Sequence, residues 1–155
     1  MKKRLKGIDK INKYIESYIS KWDLYAHIDT DFMYDPTDDT VYWTLVVSEK
    51  HDKAFQEFFE SLGCDIRTDV FVYSIFHEIG HSQTLAKISD EDYNYSHDRK
   101  ADPNITDEEY FRLPDEIVAS KWAIDYINNN IDEVRDFWNG LKPLIMKFYQ
   151  RNHVM

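Results

Sequence analysis

From Lys3 to Lys21 apolar residues return every three or four positions, through Leu5, Ile8, Ile11, Ile15, Tyr18, Ile19 and Trp22. Lysine and glutamate fill the gaps, and this period predicts an amphipathic helix whose role is packing. The pattern then changes. LYAHIDTDFMY and TVYWTLVVS are aromatic and β-branched runs separated by the turn formers DPTDD, which predicts an antiparallel hairpin with strands near 24–34 and 40–48. Alternation in the second strand assigns Val41, Trp43, Leu45 and Val47 to the core and Tyr42, Thr44 and Val46 to the other face. Helical spacing resumes after Ser48, a candidate cap, in the stripe Ala54, Phe55, Phe58, Phe59 and Leu62, with Gly63 as a left-handed stop.

Thr68 or Asp69 opens a further helix through Val70, Phe71, Ser74, His77, Gly80, His81 and Leu85. SDEDYNYSHDRK, residues 89–100, has no period and much charge, and reads as a surface loop beside or over whatever the preceding helix carries. Thr106 and Glu109 resemble a capping box, and Pro114 starts the helix DEIVASKWAIDYINNN, punctuated by Asn128, Asn129 and Asn130. In the last helical region Val134, Phe137, Trp138, Leu141, Leu144, Ile145 and Phe148 are apolar, and Gly140 and Pro143 are expected to bend or divide it.

Composition narrows the class. The chain has 155 residues, 43% of them hydrophobic and 15% aromatic, enough for one packed domain spanning 1–155. A net charge of −10 disfavours a nucleic-acid partner, because phosphate binding needs lysine and arginine. Cys64 is the single cysteine, which excludes an intramolecular disulfide framework and a Cys-based zinc site and fits a reducing cytoplasm. The first twenty residues lack the apolar core of a signal peptide and no run is long enough to span a bilayer, so neither export nor a membrane partner is expected.

Two of six histidines stand in the stretch FHEIGHSQT, with His77 and His81 bracketing Glu78. Residues four apart share a helix face, so both imidazoles point at one place and offer two ligands to a Zn2+ ion at little entropic cost. Glu78 remains to serve as general base toward a water activated there. Gly80 between the ligands lets another element approach closely. A third ligand at the metzincin position is absent, since Thr84 and Lys87 stand where glycine and histidine would. Downstream, Glu116, Ala119, Ala123 and Ile127 fall on one helical stripe, and a carboxylate on a core-facing stripe costs several kcal/mol unless a cation stabilises it. Glu116 is therefore the expected third ligand. Asp115, about 100° away on the helical wheel, is the first substitute. His97 and Glu109 are weaker ones, and His27, His51 and His153 are expected to have no role.

At HEIGH and DEIVASKWA the chain resembles the gluzincin peptidases, and in particular the small ImmA/IrrE-type metallopeptidases, which pair HExxH with a downstream E-x-x-A helix. The resemblance runs over roughly residues 40 to 127 as an order of elements. A long acidic insertion between His81 and Glu116 sets the chain apart, as does the lack of a helix-turn-helix segment of the kind some relatives carry. The resemblance implies a mostly helical, zincin-like α+β domain, with His77, His81 and Glu116 as zinc ligands and Glu78 as the catalytic glutamate. The accompanying small sheet is expected to be antiparallel.

The function expected is zinc-dependent hydrolysis of peptide bonds in a protein or peptide substrate. The alternatives are a catalytically silent, acidic binding or inhibitory module and a plain structural domain without metal. Tyr93, Tyr95, His97 and Tyr126 are candidates to stabilise an oxyanion, and the strand VYWTLVV is a candidate edge for an extended peptide. Whether the acidic segment is a lid, and the oligomeric state, stay open.

Overall fold

The structure, a computed structural model, describes residues 7–45, 49–64 and 69–152. Lys3, Leu5, Val46, Val47, Ser48, Thr68 and His153 lie outside the described residues. In chain order the elements are α1 (Ile8–Ile19), β1 (Tyr25–Ile28), β2 (Met33–Asp35), β3 (Thr40–Trp43), α2 (Glu49–Ser61), α3 (Val70–Thr84), α4 (Asp90–Lys100), α5 (Asp107–Phe111), α6 (Pro114–Asn129) and α7 (Ile131–Asn152). Helix dominates and the sheet is small, as expected of a mostly helical α+β chain. Residues 1–44 with 131–155 form one compact unit, and residues 45–130 form another.

In the first unit, Ile8, Ile11, Ile15 and Ile19 are the buried stripe of α1, the three-and-four spacing read from the sequence. Asn12 ties that helix to the sheet: its amide donates to the Ala26 carbonyl at 2.9 Å, and its oxygen accepts from Trp43 Nε1 at 2.7 Å. Glu16 Oε2 accepts from the Ala26 N–H at 2.9 Å. The sheet is mixed, with order β1-β3-β2, rather than the antiparallel hairpin expected. The first apolar run is not one strand but two. Between its halves, Asp29 and Asp31 accept from the N–H groups of Thr30 and Phe32, so local side-chain bonds replace ladder bonds there. β1 then pairs parallel with β3, Ala26 opposite Val41, while β2 pairs antiparallel, Tyr34 opposite Val41. With β1 on one side and β2 on the other, β3 has no free edge over Thr40–Tyr42, so that part of the expected peptide-binding strand VYWTLVV is already paired. Val41 and Trp43 are buried as anticipated, and Thr44, assigned to the other face, is buried too.

α7 runs unbroken through Gly140 and Pro143. A proline removes one helical hydrogen bond, and the buried row Val134, Phe137, Leu141, Ile145 and Phe148 holds the helix despite that loss. Gly140 leaves room for Tyr14, whose hydroxyl a Cβ would strike and which donates to the Phe137 carbonyl at 2.9 Å.

In the second unit, Phe55, Phe58 and Phe59 of α2 are buried, and just beyond the end of α2 stands Gly63, whose φ of 94° is left-handed as a C-terminal stop requires. Asp69 caps α3, accepting from the Phe71 N–H at 2.9 Å. From Phe71 to Gly80 every residue of α3 is buried, the mark of a helix enclosed on all sides. Pro114 opens α6 at its first turn and Asn130 caps its end, as read from the sequence. Thr106 caps α5, accepting from the Glu109 N–H at 3.1 Å.

The aperiodic segment 89–100, expected to be a loop, is helix α4. Its signals are at its ends. Ser89 accepts from the Asp92 N–H at 3.1 Å, Asp90, Glu91 and Asp92 fill the first turn, and His97, Arg99 and Lys100 fill the last, so the charges complement the helix dipole. Among the described residues, no helix is long and apolar enough to cross a membrane.

Candidate metal centre

All the groups of the centre belong to the second unit, and α3 and α6 supply most of them. The two helices approach closely at Gly80: a Cβ there would collide with the Ala119 carbonyl oxygen. Thr84 Oγ1 donates back to the Gly80 carbonyl at 2.8 Å. Small residues at this crossing bring the polar face of α3 against Glu116 and Ser120.

His77, His81 and Glu116 converge. The Nε2 atoms of the two imidazoles are 3.1 Å apart. His81 Nε2 lies 2.6 Å from Glu116 Oε2, and His77 Nε2 lies 3.5 Å from Glu116 Oε1. Ligands about 2.0–2.1 Å from a tetrahedral zinc ion stand roughly 3.3 Å from one another, and these three separations bracket that figure. The donor set therefore fits a divalent ion with only small side-chain adjustments, the shortest pair having closed into a hydrogen bond. His77 Nδ1 is 2.9 Å from Ser120 Oγ. With the Nδ1 proton donated to that hydroxyl, the Nε2 lone pair faces the cluster, as a metal-ligating imidazole requires. The rings of Phe55 and Phe59 flank His77 at 5.4 and 6.4 Å and supply an apolar wall.

Glu78 is buried on the same helix, and one of its carboxylate oxygens lies within 4.8 Å of donor nitrogens of both His77 and His81. Asp115 is also buried and forms, with His81 and Glu116, a second set of donors within 4.8 Å of one another. Lys100 reaches in from α4, with Nζ 2.6 Å from Asp115 Oδ2 and 3.6 Å from Glu116 Oε2. Tyr110, on α5, borders the same cluster, with its ring centroid 5.4 Å from Lys100 Nζ.

The electrostatics follow from this crowding. Burial alone would depress His81, but the Glu116 hydrogen bond and the charges of Glu116, Glu78 and Asp115 raise its pKa from 6.5 to about 9. Burial pushes Glu116 up, and the two histidines more than reverse that, holding its carboxyl well below the usual range. Lys100 is lowered by burial and raised by more through Glu116 and Asp115, so it stays charged. Tyr110 is raised, first by burial and then by the surrounding carboxylates, so its hydroxyl keeps its proton.

The structure thus brings together the residues expected to act, His77, Glu78, His81 and Glu116, with Asp115 beside them. It places the weaker substitutes elsewhere. His97 is exposed and stacks on Tyr93 at 6.4 Å, and Glu109 is exposed and pairs with Arg99 at 2.8 Å. Of the candidate oxyanion groups, Tyr93 and Tyr95 are exposed, and Tyr126 stacks on Phe76 and Trp122. His27 lies exposed in β1, and His51 lies 3.6 Å from Asp107. Three neighbours of the cluster were not anticipated. Ser120 follows Glu116 by four positions, a spacing that places it on the same face. Lys100 ends the segment read as a surface loop and Tyr110 follows the Thr106 capping box, and in neither place did a period point inward. The acidic stretch is accordingly part of the wall of the centre. Set against family models, curated proteins and solved structures, the chain matches none of them.

Proposed function

We propose that this chain is a zinc-dependent metallopeptidase in which His77, His81 and Glu116 hold the ion and Glu78 is the general base. The observation that carries the reading is the approach of two imidazole Nε2 atoms and one carboxylate, from helices far apart in sequence, within 2.6–3.5 Å of one another. A bound zinc ion would supply a Lewis acid for a peptide carbonyl and lower the pKa of water beside it. Glu78, adjacent to the ligand helix face and buried, takes a proton from the attacking water and returns it to the leaving amine. Ser120 fixes the His77 tautomer, and Tyr110, keeping its proton, is placed to donate to negative charge that develops near Glu116. The substrate class is a protein or peptide. The lone thiol of Cys64 suits a reducing compartment, and we place the protein in the cytoplasm.

Metal analysis of protein purified without added zinc, coupled to Glu78→Gln, tests this. The ion is expected in both proteins, and cleavage of a mixed peptide library is expected to fall by about 10²–10⁴ in the variant. A metal-free wild type sinks the reading. Ion bound without any cleavage by wild type would leave the silent binding module in its place.

A further inference from the structure

The two donor sets, His77 with Glu78 and His81, and His81 with Asp115 and Glu116, overlap at His81. Five clustered side chains of this kind carry enough ligand atoms for a pair of divalent ions, and two-metal hydrolytic sites are built from such sets. What stands between Asp115 and Glu116 here is the Lys100 ammonium, 2.6 Å from one carboxylate and 3.6 Å from the other. The ring of Tyr110 closes a further side, its centroid 5.4 Å from Nζ. Asp115, Glu116 and the stem of Lys100 come from α6 and α4, so packing rather than chance contact sets this arrangement.

Resting on the metal-centre reading above, we propose that Lys100 supplies the second positive charge of the cluster, so that it takes one divalent ion and Asp115 acts as a counter-ion instead of a ligand. Two adjacent buried carboxylates need compensation that one ion held by Glu116 leaves incomplete. An ion within ligand distance of Asp115 Oδ2 on the Glu116 side would coincide with the ammonium, and two cations so close in a buried site repel strongly. The assignment also decides between Glu116 and Asp115 as third ligand, in favour of Glu116.

Zinc titration of the metal-free full-length chain, followed by metal content after gel filtration, tests the proposal without reference to turnover. Wild type is expected to hold one equivalent even with zinc in large excess. Lys100→Met is expected to hold two, Lys100→Arg one, and Lys100→Met combined with Asp115→Asn one. Two equivalents in wild type, or one in folded Lys100→Met, overturns the role of Lys100 while leaving the peptidase reading intact. No ion in wild type overturns both. Should Lys100→Met fail to fold, Asp115→Asn decides: it is expected to keep its one equivalent, and loss of that equivalent would make Asp115 a ligand and end the proposal.

Discussion

Ser120 is wholly buried and uncharged, and its hydroxyl lies 2.9 Å from His77 Nδ1, across the ring from the Nε2 that faces Glu116. Ser120→Ala is expected to weaken zinc binding by about 10–100-fold while leaving the fold intact, read by competition with a chromophoric chelator. An unchanged affinity would show that the ring is oriented by its aromatic neighbours alone. The His81–Glu116 pair makes a second prediction, about pH. His81 is raised from 6.5 to about 9, so its contribution to stability is complete below pH 6.5 and is lost as the pH climbs through 9. Glu116 is depressed from 4.5, so its contribution is complete above pH 4.5 and is lost only as the pH falls through the lowered value. Metal-free protein should therefore melt at progressively lower temperature between pH 6.5 and 9, and a flat profile there would contradict the pairing. Spacing in the sequence made His77, Glu78 and His81 legible, and the apolar stripe of α6 made Glu116 legible. Lys100 and Tyr110 were not, because what brings them inward is tertiary packing and not any period of their own segments.

At the scale of elements, the crossing of α3 and α6 depends on the absence of a side chain at Gly80. Gly80→Ala drives a methyl into the Ala119 carbonyl, which is backbone and cannot swing away, so the helices must part. The expected cost is about 1–3 kcal/mol in chemical denaturation, accompanied by weaker zinc binding, since Glu116 moves with α6. Retained stability and affinity would mean that the crossing tolerates a Cβ. α4 shows where sequence reading by periodicity fails: a helix with mostly exposed residues has no apolar stripe to reveal it, and its terminal signals, Ser89 and the acid-to-base order of charges, were the legible ones. Ser89→Ala should lower stability by about 1 kcal/mol. The sheet was misread for a different reason. Its parallel pair is a non-local choice, and local alternation gives strands without giving their partners.

For the whole molecule, a ligand that binds only the folded state raises its stability in proportion to the logarithm of concentration over affinity. Chelation of zinc-loaded protein should thus lower its melting temperature, and amide exchange should quicken most in α3 and α6, the helices that carry the proposed ligands. Exchange that quickens equally in every helix would place the ion elsewhere. Helical content and the meeting of His77, Glu78, His81 and Glu116 could be inferred from the sequence, whereas the grouping of residues into two compact units could not, because it depends on which segments meet after folding. One consequence of the His81–Glu116 contact concerns the order of events in the life of the chain. An internal proton and an internal carboxylate satisfy each other where an ion would sit, so the newly made polypeptide has a way to close its interior before it meets any metal. If the centre takes the ion proposed for it, maturation would be an exchange of a proton for a cation in an already built pocket, and the supply of that cation, rather than synthesis of the protein, would set when activity begins.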